Sequence, residues 1–221
     1  MKRLGTSKLR TTALATIGSF MLLASAPATK QDLKTFEVDF PQHLTKFKMV
    51  TLPEGKLGNK TIKSFSISET EIPWEVFEIW ALRLDTTTAD QVADPQSKGA
   101  DAKSRPSRPY AAIFIGFGHH TYPAICVSAF NAESFCKWLN QRTGKKFRLP
   151  TVDEWQYAAG AAPANIDEAA WTWENGDDTT HPVGTKKPNA FGLKDMLGNA
   201  AEWAKNEKGE MVVCGGSIRD K

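Results

Sequence analysis

Two carboxylates seven residues apart, Asp195 and Glu202, mark the stretch where this chain could do chemistry. Between residues 188 and 203 it reads P-N-A-F-G-L-K-D-M-L-G-N-A-A-E-W. Pro-Asn and Gly-Asn steps favour turns, because glycine tolerates positive φ and asparagine bonds its own backbone. Phe191, Leu193, Met196, Leu197 and Trp203 make the same stretch strongly apolar. The combination predicts a buried, irregular loop. Such a loop carries backbone polar groups that need partners, and a bound cation is one way to satisfy its carbonyls. Pairing of Asp195 and Glu202 with Lys194, Arg148 or another base is the simpler alternative.

Other reactive residues are sparse. The cysteines are Cys126, Cys136 and Cys214, an odd number without C-x-x-C spacing, so neither a zinc site nor a thioredoxin-like motif is supported. Cys136 lies on an apolar helix face and reads as a small hydrophobe, Cys126 falls in an expected strand, and Cys214 is the more exposed candidate. The adjacent His119 and His120 have no cysteine or carboxylate at ligand spacing, and read better as a hydrogen-bonding pair.

Two further motifs join the loop. One is G-K-K-F-R-L-P-T-V-D-E-W-Q-Y-A-A at residues 144–159, and the other is Gly215-Gly216-Ser217. In this order the three resemble the formylglycine-generating enzyme and sulfatase-modifying-factor family, whose members carry N-x-F-G-L-x-D-M-x-G-N-x-x-E-W, R-L-P-T-x-x-E-W-x-Y-A-A and R-G-G-S-W. The resemblance implies an α+β, loop-rich, C-type-lectin-like fold with two or three helices and short antiparallel strands. It also implies a structural calcium held by Asp195, Gly198, Ala200 and Glu202, the middle two through carbonyls. A second family calcium site near Asn175, Asp177 and Asp178 is not carried over.

The catalytic part of the pattern is missing. Formylglycine-generating members oxidise a substrate cysteine with copper held by a cysteine pair that follows the G-G-S motif, and soft thiolates suit cuprous ion. Here four residues follow Ser217 and none is cysteine. Cys214 stands where the family has arginine, and Ala201 where the enzymes have tryptophan. Ser217 alone survives from the active-site neighbourhood, and the domain reads as C-terminally truncated. The expectation is a non-catalytic, calcium-stabilised binding or scaffold module for a protein, peptide or glycan, with copper not expected. The alternative is a formylglycine-generating oxidoreductase seen as a truncated product.

Composition fits one domain. The chain has 221 residues, 41% of them apolar, and a formal net charge of +3, enough for one sizeable core. Lys2, Arg3, Lys8 and Arg10 precede an apolar run over residues 13–23 and the small-residue pattern at Ala24, Ala26 and Ala28. These are the parts of a secretory signal peptide over residues 1–28. Without its four charges the remainder is at −1, so nothing points to nucleic acid. The apolar run is shorter than the roughly 20 residues of a membrane span. Export to the periplasm or medium is expected.

The elements that must position the motifs follow in order. A linker is expected over residues 29–45, and the domain over 46–221. Apolar–polar alternation predicts strands at 46–53 and 60–69, each with one buried face, around a turn at 54–59. Pro73 opens a helix to Leu84. A long loop or insert spans residues 85–122. Residues 125–127 and 146–149 read as short strands. Ser128 caps a helix that runs to Thr143 and stops at Gly144. Thr151 and Glu154 form a capping box for the next helix, ended by Gly160, and Arg148 is placed to hold Glu154 or Glu202. A last strand at 211–214 is expected to pair with a later one.

Overall fold

The structure, a computed structural model, describes residues 33–87 and 114–220. The expected signal peptide and most of the 85–122 insert lie outside the described residues.

The sheet begins earlier than expected. Residues placed in a linker form β1 (Thr35–Phe40), which turns through a single 3-10 turn at Pro41–His43 into β2 (Thr45–Leu52). The two pair antiparallel from Thr35 with Val50 to Phe40 with Thr45. The segment expected as one strand at 60–69 is two. A short hairpin of β3 (Gly55–Leu57) and β4 (Lys60–Ile62) replaces the simple turn, and β5 (Phe65–Ser68) then pairs with the far side of β2. The sheet order is β1-β2-β5.

β2 has two buried faces rather than one. Phe47 and Met49 enter a core with Val38, Phe40, Phe77, Trp80, Phe135, Trp138 and Leu139. Val50 and Leu52 enter another with Trp155, Ala158, Leu193, Met196 and Ala204. Side chains alternate along a strand, so Leu52 cannot share a face with Phe47 and Met49. β2 is the wall between the two cores.

The helices fall where local chemistry puts them. α1 (Trp74–Ala81) starts after Pro73 and buries Trp74, Val76, Phe77, Ile79 and Trp80, but ends short of the exposed Leu84. In α2 (Ala129–Thr143) the Ser128 hydroxyl accepts the Asn131 N–H at 3.2 Å, and Gly144 closes the end at φ 67°. α3 (Val152–Ala159) carries the full Thr151–Glu154 capping box. α4 (Ile166–Ala169) is one turn, capped by Asn165. Aromatic rings lock the first core: Phe77 lies 5.4 Å from Phe135, Phe135 lies 5.4 Å from Trp138, and Trp138 lies 5.4 Å from Phe40.

Two expected strands are absent and a third has a different partner. Residues 125–127 form no strand, because Cys126 takes a left-handed φ of 57°. Residues 146–149 form none either, for want of a neighbouring strand. The strand at 211–214 does form, as β7 (Met211–Cys214), but it pairs back onto β6 (Glu202–Lys205) rather than onto anything later.

Candidate functional site

The loop from 188 to 203 is held by two asparagines. The Asn189 side chain accepts the N–H groups of Phe191 and Leu193 at 2.9 and 3.1 Å, and donates to the Ala158 carbonyl at 2.7 Å, fastening the loop to the end of α3. Asn199 is 1% exposed. It accepts the His181 N–H at 2.9 Å and donates to the His181 carbonyl at 3.2 Å and to Glu71 Oε2 at 3.3 Å. Gly198 sits beside Trp171 at φ 70°, where a Cβ would fall 2.0 Å from the Trp171 carbonyl oxygen. The backbone there is shared: Gly198 N–H donates to the Gly215 carbonyl, and Asn199 N–H to that of Trp171.

Against this loop lies an acid outside the three motifs above and not expected in the site. Glu71 is 8% exposed and accepts the Ala200 N–H at 3.1 Å as well as the Asn199 amide. Burial, then the charges of Asp195 and Glu202, push its carboxyl well above the ordinary glutamate range. Asp195, 2% exposed, accepts the Gly184 N–H through Oδ2 at 2.5 Å, and its Oδ1 is buried without a hydrogen-bond partner. Burial raises the Asp195 carboxyl against the pull of that N–H, of the neighbouring Glu71 carboxyl and of Lys194. Glu202 accepts Trp155 Nε1–H at 2.7 Å, and burial takes its carboxyl to about 7.

The four residues expected around calcium are therefore on one loop, but not closed into a cage. The Asp195 and Glu202 side chains bond Gly184 and Trp155 respectively, and the Ala200 N–H is turned to Glu71. Among the described residues no three His, Cys, Asp or Glu side chains converge as a metal centre. A cation here would need carbonyl oxygens as well, which is the mixed donor set calcium accepts. The orphaned Asp195 Oδ1 is the acceptor that fits one.

Arg148 settles on the nearer of its two acids. Its guanidinium forks onto Glu154 at 2.7 Å through both nitrogens, holding that carboxyl below its ordinary value. The histidines pair with carboxylates of α1: His119 Nε2 lies 2.9 Å from Glu78 and His120 Nδ1 lies 3.8 Å from Glu75. Ser217 turns into its own loop, where its hydroxyl donates to Asp220 at 2.9 Å. Asn175 braces the Thr172 N–H and the Ala170 carbonyl, beside Asp177 and Asp178 at left-handed φ.

The thiols are all free, and Cys126 rather than Cys214 is the exposed one. Burial pushes Cys136 up to about 11, and burial followed by the Glu202 charge raises Cys214. Cys136 and Glu202, with Glu71, line a cavity of about 480 Å³ between the sheet, α2 and residues 145–150. Among the described residues no helix is long and apolar enough to cross a membrane.

Comparison with known proteins agrees with the motifs. The family described as "Sulfatase-modifying factor enzyme 1-like domain" matches residues 35–220. Formylglycine-generating enzyme of Mycobacterium tuberculosis is 31% identical over 107 residues, covering 39% of this chain and 34% of that protein. Chaperone protein LppX of Paenibacillus barcinonensis is 36% identical over 84 residues, 26% of this chain and 30% of its own. Serine/threonine-protein kinase pkn1 of Chlamydia pneumoniae is 30% identical over 111 residues, 47% of this chain and 17% of the kinase. The matched parts thus span about a third or less of these relatives. Among solved structures, Treponema denticola variable protein 1 superposes with a TM-score of 0.61 at 19% identity, covering 85% of this chain and 88% of that one. CarF gives 0.54 at 23% identity, covering 78% and 87%. The family match over residues 35–220 shows that the chain belongs to the sulfatase-modifying factor enzyme 1-like domain family.

Proposed function

We propose that the chain is a non-catalytic member of this family, a binding or scaffold module of an exported protein whose 188–203 loop is stiffened by calcium. The observation that carries the non-catalytic reading is the state of its thiols. Copper-dependent oxidation of a substrate cysteine in this family needs two thiolates together. Cys136 and Cys214 are instead held protonated by burial, with Cys136 at about 11, and such thiols are inert. The relatives support a module as well. Their names describe a chaperone, a kinase and a formylglycine-generating enzyme, so what they share with this chain is a domain rather than one activity.

The test offers a sulfatase-motif peptide with copper and oxygen and follows the mass of its cysteine. No turnover above a copper-only blank is expected, and turnover would restore the oxidoreductase reading.

Calcium is supported by the buried acids and the orphaned Asp195 Oδ1. The carboxylates of Asp195 and Glu202 and the carbonyls of Gly198 and Ala200 would hold it, and it would supply positive charge to a loop that buries negative charge. Export is checked by N-terminal sequencing of the mature protein, expected to begin near Thr29.

A further inference from the structure

The cavity has an unusual wall. All four residues of β5, Phe65 to Ser68, line it. Successive side chains of a strand point to opposite faces, so a cavity that touches all four runs along the strand's edge. Among the described residues β5 is an edge strand, hydrogen-bonded to β2 on one side. An open edge presents a row of unpaired N–H and C=O groups.

A second unpaired backbone borders the same space. Residues 146–149 line it too, and their exposure alternates: Lys146 and Arg148 exposed, Phe147 and Leu149 half-buried. That is the period of an extended chain. The N–H and C=O of Phe147 are both taken by the Asn140 side chain, and in an extended chain the peptide groups of the neighbouring residues project the other way. Phe147 meets Phe47 of β2 at 6.4 Å and Lys145 sits 5.1 Å over the Phe36 ring, which lays this segment over the sheet. Met49, Phe77, Phe135 and Leu139 give the cavity an apolar floor.

The strand edge and the apolar floor together select the occupant. A glycan would leave the apolar floor poorly used, and a small apolar ligand would leave the strand edge unpaired. Addition of a strand to a sheet edge uses both, with backbone pairing for affinity and alternate side chains for selectivity.

We propose that the cavity receives an extended peptide from a protein partner. It pairs with the open edge of β5 and seats apolar side chains against Met49, Phe135 and Leu139. This deepens the binding-module reading and rests on it.

The test uses the full chain and a synthetic acetylated hexapeptide alternating valine with threonine. Binding is read by calorimetry and amide exchange. The expected result is binding with at least tenfold slower exchange at Phe65 to Ser68. Affinity should be lost when alternate peptide nitrogens on the pairing edge are methylated. Cys136→Phe, which fills the cavity, should weaken binding tenfold; Ala132→Leu serves the same purpose if that variant does not fold. No binding at millimolar peptide, protection confined to other segments, or tolerance of N-methylation would overturn the proposal. Oxidation of a sulfatase-motif peptide would instead sink the binding-module reading, whatever happens at β5.

Discussion

Asn199 does more for the loop than either expected calcium carboxylate. Its one amide satisfies the N–H and C=O of His181 and reaches Glu71. Replacing it by alanine strands those partners in the interior, where each unsatisfied group costs about 1–3 kcal/mol. Asn199→Ala should therefore lower unfolding free energy by about 3 kcal/mol in a urea titration, with Asn199→Asp recovering less than half. Gly198→Ala is expected to be at least as damaging. It combines a left-handed φ of 70° with a Cβ placed 2.0 Å from the Trp171 carbonyl, and the conformation alone costs roughly 1–2 kcal/mol. Loss of soluble protein, or a fall in melting temperature exceeding that of Asn199→Ala, is the outcome to look for.

Among the elements, α3 carries the clearest pH signature. Glu154 caps the helix and is gripped by Arg148, which holds its carboxyl below the ordinary 4.5. A depressed folded-state value means the stabilisation is complete above the unfolded value and disappears as pH falls through the folded one. Thermal melts of wild type and Glu154→Gln should differ most at neutral pH, and converge below about 4.5. That cap was legible in the sequence because every participant lies within seven residues. So were the ends of α2 at Ser128 and Gly144. Strands were harder. Residues 146–149 have the alternation of a strand, but strand formation needs a neighbour that local sequence cannot supply. Residues 125–127 look apolar enough, and the left-handed turn at Cys126 overrides them. The same divide runs through the site: Asp195 and Glu202 sit inside a motif, whereas Glu71 is brought in from 129 residues before Ala200.

For the whole molecule, protons and calcium should compete. Glu202 titrates at about 7 when folded and near the ordinary 4.5 when unfolded. A raised carboxyl stabilises fully below its unfolded value, and that stability is lost as pH rises through the folded value. In chelator, the melting temperature should therefore climb as pH is lowered from about 7 to about 4.5. Calcium should raise it most at the alkaline end, because ligand carboxylates must be ionised to bind. At a hundredfold excess over Kd the gain is about 2.7 kcal/mol, and Glu202→Gln should abolish the calcium effect and flatten the pH trend to the part due to Glu71 and Asp195. A melting curve indifferent to calcium at every pH would leave ion pairs and hydrogen bonds as the only fastening of the loop.

The position of β2 between two cores has a consequence for how this domain tolerates change in length. In a strand with one wet face, a slip of one residue is punished because apolar groups meet water. Here a slip would carry Lys46 and Lys48, which pair with Glu37 and Glu69, into the place of Phe47 and Met49, and Thr51 into that of Val50 or Leu52. Both cores would object at once. Polarity therefore holds β2 in register from two sides, together with the short turn at Pro41–His43 and the six-residue pairing with β1. An insertion of one residue near that turn has to be absorbed by the turn itself, because β2 has no neighbouring register to move into.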